Sequence, residues 1–189
     1  MLISKFSGNN IDKNLYDLKR SYNIFLNQVY EEFILKYNGG ETPKTSLNTK
    51  RIKTDIIGFY GFTDKNKNLT FSNVLQDGLG EELIKKSLLP IATNTFGDYI
   101  VMNVSEKNNG EISFVYHDKP QKGIVISSDF KTFISLCKSE KIGHIRTIDE
   151  RRQCLIEAGK GDKITEKKIE CWQREIDKYA NIEQEEVIL

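Results

Sequence analysis

Apolar residues in the first fifth of the chain recur at steps of three and four: Ile11, Leu15, Leu18, Tyr22, Phe25, Leu26, Val29, Phe33 and Tyr37. That spacing lines one face of an amphipathic helix. Asn10 stands where an N-cap belongs. Asn38-Gly39-Gly40 supplies the left-handed residue that ends helices, with Pro43 just beyond. The stretch is either one helix or two, broken near Asn23 or Asn27. Residues 41–55 are polar and rich in Lys and Thr, and read as a connection. Residues 56–62 (Ile-Ile-Gly-Phe-Tyr-Gly-Phe) are apolar, aromatic and short, the signature of a strand. A charged loop over 63–68 follows. Ser72 is placed to cap a short helix running toward Asp77, with Gly78 and Gly80 as its stop, and 81–87 reads as a further helical turn.

The period then changes to two. Residues 88–92 (Leu-Leu-Pro-Ile-Ala) read as a strand, with Pro90 expected at an edge or a strand end because it has no N–H to donate. After a Gly97-Asp98 turn, residues 99–104 and 111–116 flank a loop containing Asn109-Gly110, a hairpin signal. Ile100, Met102 and Val104 alternate on one strand; Ile112, Phe114 and Tyr116 alternate on its partner. Residues 123–126 make another short strand. Ser128 or Asp129 can cap a helix whose stripe is Phe130, Phe133, Ile134 and Cys137. Beyond about residue 140 charges dominate. A helix over 150–158 stops at Gly159, and Thr165 can cap a last helix with Ile169, Trp172, Ile176 and Tyr179 at helical steps, Trp172 reading as core. Because that stripe is too narrow to stand alone, residues 141–189 are expected to form a helical extension packed on a main domain of residues 1–140. The fold class expected is α+β: a mostly antiparallel sheet covered by helices, with a C-terminal helical extension.

Composition narrows the function. The 189 residues are 38% hydrophobic and 29% charged, enough for a core and a solvated surface. A net charge of +1 supplies no broad field for nucleic acid or an anionic membrane. Residues 1–10 hold no apolar run of signal-peptide length, and no segment approaches the roughly 20 apolar residues of a membrane span. The three cysteines, Cys137, Cys154 and Cys171, match neither a disulfide framework nor a zinc spacing, and read as reduced, mostly buried thiols. A cytoplasmic location fits these features.

Catalytic signatures are scarce. His117-Asp118 are neighbours on a strand, so their side chains point to opposite faces and make no ready dyad. Two histidines and three scattered cysteines do not build a zinc site. Gly159-Lys160-Gly161-Asp162-Lys163 lacks the Walker spacing and is better read as a helix-to-helix turn. No Gly-x-Ser-x-Gly elbow is present. Asp98 has two readings: its carboxylate fixes the Gly97 turn by accepting backbone N–H bonds, or it offers a negative contact to a basic partner. Tyr60, Tyr99 and Tyr116 lie on or beside strands and fit either core or surface.

These pieces, in this order, resemble the SUKH superfamily. Residues 33–40 (Phe-Ile-Leu-Lys-Tyr-Asn-Gly-Gly) are similar to its opening motif, and 88–92 followed by Gly97-Asp98-Tyr99-Ile100 to its central signature. Residues 110–117, then Ile126-Ser127-Ser128-Asp129-Phe130 and Phe133-Ile134, resemble its closing strands and helix. The likeness covers roughly residues 12–137. It departs from the family pattern in lacking a Leu-Pro ahead of the Asn-Gly-Gly helix, where this chain has Phe25-Leu26-Asn27. The resemblance implies an α+β fold and a binding role. Bacterial members look like immunity proteins that hold a toxin domain, often a nuclease or deaminase, and the family includes a yeast regulator of cell-wall glucan synthesis.

The expectation is therefore a non-enzymatic protein without cofactor or metal, binding a cognate toxin domain and occluding its active site. The alternative is an intracellular scaffold or regulator of the cell-wall-synthesis type. An enzyme using His117 with an acidic neighbour ranks below both. Candidate partner contacts are Asp64, Asp77, Asp98, Tyr116, His117 and Asp118, which sit at strand ends or loops where a rigid frame presents side chains. Direct nucleic-acid or membrane binding is not expected, and the oligomeric state is left open.

Overall fold

The apolar stripe of residues 11–37 folds as two helices, because two asparagines interrupt it. α1 (Ile11–Tyr22) ends at Asn23, which adopts the left-handed conformation (φ 49°) and returns its N–H to the Lys19 and Arg20 carbonyls. Asn27 is extended, and its side-chain oxygen accepts the Val29 N–H at 3.0 Å to start α2 (Gln28–Tyr37). Asn10 precedes α1 in a left-handed conformation and makes no side-chain cap bond. α2 ends on Asn38, again left-handed (φ 53°). A Cβ on the next residue, Gly39 (φ +70°), would overlap the Tyr60 carbonyl, so only glycine lets the chain turn into the sheet here.

The computed structural model describes residues 1–180 and 182–189. Contacts divide the chain into two units, one of residues 1–141 and 184–189 and one of residues 142–183. The first unit is built on an antiparallel sheet of β1 (Leu2–Lys5), β2 (Gly40–Asn48), β3 (Lys53–Phe59), β4 (Leu88–Thr93), β5 (Tyr99–Asn103), β6 (Ile112–Val115), β7 (Ile124–Ser127), β8 (Cys137–Ser139) and β9 (Glu185–Glu186). The strand order is β7-β6-β5-β4-β3-β2-β1-β9, with β8 also paired to β2. The chain is thus an α+β protein.

Several expectations change. Residues 41–55 are not a connection: most of them lie in β2 and β3, paired from Thr45↔Ile56 to Asn48↔Lys53. A register shift between Glu41 and Thr45, with Lys44 at φ 25°, breaks the alternation that would have revealed β2. Gly78 and Gly80 do not stop a helix. The short α3 (Phe71–Val74) ends first, and the glycines form the first turn of α4 (Gly78–Lys85), with Asp77 as its N-cap residue. Pro90 lies in an interior strand, not at an edge. The β3–β4 ladder covers only Ala92 and Thr93, and the β4–β5 register shifts between Pro90 and Ala92, so the missing N–H falls outside the β3 pairing. Residues 184–189, read from the sequence as part of a helical extension, belong to the first unit and carry β9.

The hairpin forms as its pattern predicts, in the register Tyr99↔Val115 to Met102↔Ile112. Directly paired residues share a face, so Phe59, Ala92, Ile100 and Phe114 form one row. Onto it pack α2 and α5 (Phe130–Leu136), where Phe33, Phe59 and Phe130 meet with ring centroids 5.1–6.3 Å apart. Burying each such side chain contributes on the order of 1.5–3 kcal/mol. Asp129, the second of the two proposed caps, caps α5 by accepting the Thr132 N–H. The row containing Tyr99 faces the other way, toward the head of α4.

The second unit contains α6 (Ile148–Glu157) and α7 (Glu166–Ala180), joined by a turn that includes Gly159 (φ +68°) and one 3₁₀ turn over Gly161–Lys163. This is the helix-to-helix connection expected over the glycines. Arg151 and Glu175 pair across it at 2.7 Å. No residue of α6 or α7 is fully buried, so Trp172 is a half-buried side chain and not core. Cys154 and Cys171, expected as buried thiols, are exposed on these helices; Cys137 alone is buried, and burial pushes its thiol up to about 12.

Candidate functional site

The β4–β5 connection, residues 94–98, is built around one asparagine. Asn94 is 2% exposed, and its Oδ1 accepts the backbone N–H groups of Phe96 and Asp98 at 3.0 and 2.8 Å. Its Nδ2 donates to Thr54 Oγ1 at 2.9 Å and to Asp98 Oδ2 at 3.0 Å. Gly97 takes φ +80° and donates its N–H to the Asn94 carbonyl. Asp55 accepts from both the backbone N–H and the hydroxyl of Thr95. These bonds fix every residue of the turn except the side chain at its tip: Phe96 is 73% exposed.

Asp98 is 5% exposed, and both of its oxygens are committed. Oδ2 takes the Asn94 amide; Oδ1 takes the His117 backbone N–H at 3.0 Å and His117 Nδ1 at 2.8 Å. Burial raises its carboxyl pKa. The backbone N–H of His117, the Asn94 amide and the imidazole outweigh that and hold it below the ordinary carboxylate value. The Asp98 carboxylate does not cap the N–H groups of the Gly97 turn, which go to Asn94; the one backbone N–H it accepts is that of His117 across the hairpin. The residue exposed at this point is His117, whose side chain is 54% exposed while its Nδ1 is held by the Asp98 carboxylate. Nε2 makes no hydrogen bond among the described residues, which leaves it facing solvent as donor or acceptor.

The other candidates lie at different distances from this centre. Tyr116 is 38% exposed and rests its ring edge-on against Phe114 at 4.9 Å. Asp118 is exposed and 3.6 Å from Lys119. Asp77, ahead of α4, accepts the Tyr99 hydroxyl at 3.1 Å; burial first, then this charge and hydrogen bond, push the Tyr99 hydroxyl up to about 12. Asp77 thus joins the group through the neighbour of Asp98. Asp64 does not: it lines a separate polar cleft of about 600 Å³ with Ser7, Asn9 and Asn14. Tyr60 and Tyr99 resolve as core, Tyr116 as surface.

His117 does have a carboxylate partner, nineteen positions upstream and not at Asp118. Hairpin register could have found it: with Tyr99 opposite Val115, the residues just before β5 face those just after β6. Phe96 and Asn94 were missed altogether. Asn-x-x-Gly-Asp after a strand was the available signal, since asparagine bonds its own backbone two residues on.

Among the described residues, no group of three or more His, Cys, Asp or Glu side chains could hold a metal ion, and no helix is long and apolar enough to cross a membrane. The architecture is an α+β domain whose sheet carries helices on both faces and presents a braced turn at one end. Residues 12–136 match the SMI1 / KNR4 family (SUKH-1), and the chain belongs to that family. The family is generally non-catalytic and suggests interaction with other proteins. No curated relative and no solved structure matches the chain.

Proposed function

We propose that this protein is an immunity-type inhibitor that acts in the cytoplasm by binding a toxin's catalytic domain, a nuclease or deaminase, and covering its active site or substrate groove. Membership of the SUKH-1 family supports a binding role. The observation that carries the choice of surface is the supported imidazole: a buried aspartate holds His117, and two exposed aromatics, Phe96 and Tyr116, stand in the same two chain segments, Phe96 in the turn that Asp98 closes and Tyr116 next to His117 in the chain. Pre-positioned aromatic and polar anchors at the centre of a patch are what binding hot spots require. Asp118 adds negative charge at the rim, Asp77 shapes the same end of the sheet, and Asp64 is an outlying contact. Asp98 acts by positioning His117. A net charge of +1 argues against mimicry of a nucleic acid.

The test is co-expression with a candidate toxin domain, sought first among the products of neighbouring genes. The protein should restore growth and form a stoichiometric complex, and Phe96→Ala and His117→Ala should each weaken that complex by about 30-fold, the effect of a ~2 kcal/mol hot spot. Unchanged affinity in both folded variants would place the interface elsewhere. Rescue failing altogether, with capture of cytoplasmic regulatory machinery in its place, would favour the scaffold reading.

A further inference from the structure

Residues 185–189 are held like a bound peptide. The chain leaves the first unit at residue 141 and returns to it at 184, after the whole of the second unit. Glu185 and Glu186 then add a two-residue strand to the outer edge of β1, and the Val187 N–H continues toward the Met1 carbonyl at 2.9 Å. The Tyr37 hydroxyl reads the backbone twice, donating to the Glu186 carbonyl at 3.3 Å and accepting the Ile188 N–H at 3.0 Å. Lys36 and Lys131 donate to the carbonyls of Ile188 and Leu189 at 3.3 and 3.2 Å. Two side chains add selectivity: Glu185 pairs with Lys5 at 2.9 Å, and Val187 is buried to 8% exposure while Ile188 beside it is 68% exposed. Alongside lies a cleft of about 730 Å³ that Met1, Ile134, Cys137, Lys138, Lys141 and Val187 help to line.

We propose that this edge is a strand-acceptor site for an extended acidic-then-aliphatic segment of a partner protein, and that residues 185–189 are its resident, displaceable ligand. Strand addition of this kind draws affinity from main-chain bonds and selectivity from alternate side chains. Here the main-chain bonds run to Met1, Tyr37, Lys36 and Lys131. The selective contacts are the Lys5 charge and the Val187 position. One buried side chain and a two-residue ladder make a small hold, and the covalent connection sustains it through a high local concentration of the segment. A competing strand of the same chemistry would free one of the two chain connections of the second unit. The site is independent of the His117 surface.

The probe is a fluorescein-labelled peptide Gln-Glu-Glu-Val-Ile-Leu, the sequence of residues 184–189, titrated by anisotropy into the full-length chain. The wild-type protein should bind it weakly, because the resident segment competes. Val187→Asp places a carboxylate in the buried position, expels the resident segment, and should bind the probe about tenfold or more tightly than wild type. Adding Lys5→Glu should remove much of that gain. If Val187→Asp fails to show a cooperative melt, Glu185→Lys loosens the segment at an exposed ion pair and should raise probe binding likewise. Equal binding to wild type and to a folded loosened variant, or no binding to either, would overturn the proposal. So would concentration-dependent dimers that the probe dissolves, which would make a second copy the natural occupant.

Discussion

Tyr30 carries a hydroxyl that the fold does not use. The residue is 1% exposed, its ring meets Phe130 edge-on at 5.0 Å, and its oxygen has no hydrogen-bond partner among the described residues. A buried polar atom without a partner is a net cost. Tyr30→Phe should therefore stabilise the protein by about 1 kcal/mol, a rise of roughly 3 °C in a thermal melt; a fall would show that the hydroxyl is satisfied in solution. Asp98 is the opposite case, with every oxygen used. Its carboxyl titrates below the ordinary value in the folded chain, so its contribution is complete above the unfolded value and is lost as pH falls through the folded one. Asp98→Asn should cost about 2 kcal/mol near neutrality, and its gap from wild type should close in melts taken below about pH 4. A gap independent of pH would mean that the loss is steric.

At the scale of elements, local chemistry decides boundaries. α6 begins with a complete capping box: Thr147 Oγ1 accepts the Glu150 N–H at 3.2 Å, and the Glu150 carboxylate accepts the Thr147 N–H at 2.6 Å. That backbone bond first, then the one from His144, holds the Glu150 carboxyl down to about 2. Because the folded value lies below the ordinary one, the Glu150 half of this cap survives mild acid and is lost only as pH approaches 2, while the Thr147 hydroxyl half does not titrate. Thr147→Ala should destabilise α6 by about 1 kcal/mol, read as faster amide exchange at Glu150 and Arg151. Where chemistry is local, several elements were legible: the break near Asn23 or Asn27, the Asp129 cap, the Asn109-Gly110 hairpin, the Gly159 stop. Where an element depends on its neighbours, it was not. β2 is polar at alternate positions and carries a register shift, and becomes a strand because β1, β3 and β8 supply its partners.

At the scale of the molecule, the fully buried hydrophobic residues all belong to the first unit, from Ile3 to Val187. Helices that bury no side chain completely open at low cost. Native-state hydrogen exchange should find the amides of α6 and α7 exchanging at least about a hundredfold faster than those of β4 and β5. Comparable protection in both would contradict the division. The return of residues 184–189 to the sheet is the feature that charge-rich composition most concealed. Glu-Gln-Glu-Glu has no strand pattern of its own, and its two-residue ladder exists only because β1 leaves an edge open.

The sequence by itself determined the period of each strong element, some of the caps, the α+β class and the order of motifs that marks the family, because these follow from residues within a few positions of one another. Six candidate contacts were also readable as strand-end or loop residues. What they do to each other was not. The Asp98–His117 pair, the Asn94 brace beneath Phe96, the isolation of Asp64 and the docking of residues 185–189 on Tyr37 join residues far apart in the chain. Only the packed sheet brings those distant groups within hydrogen-bonding reach.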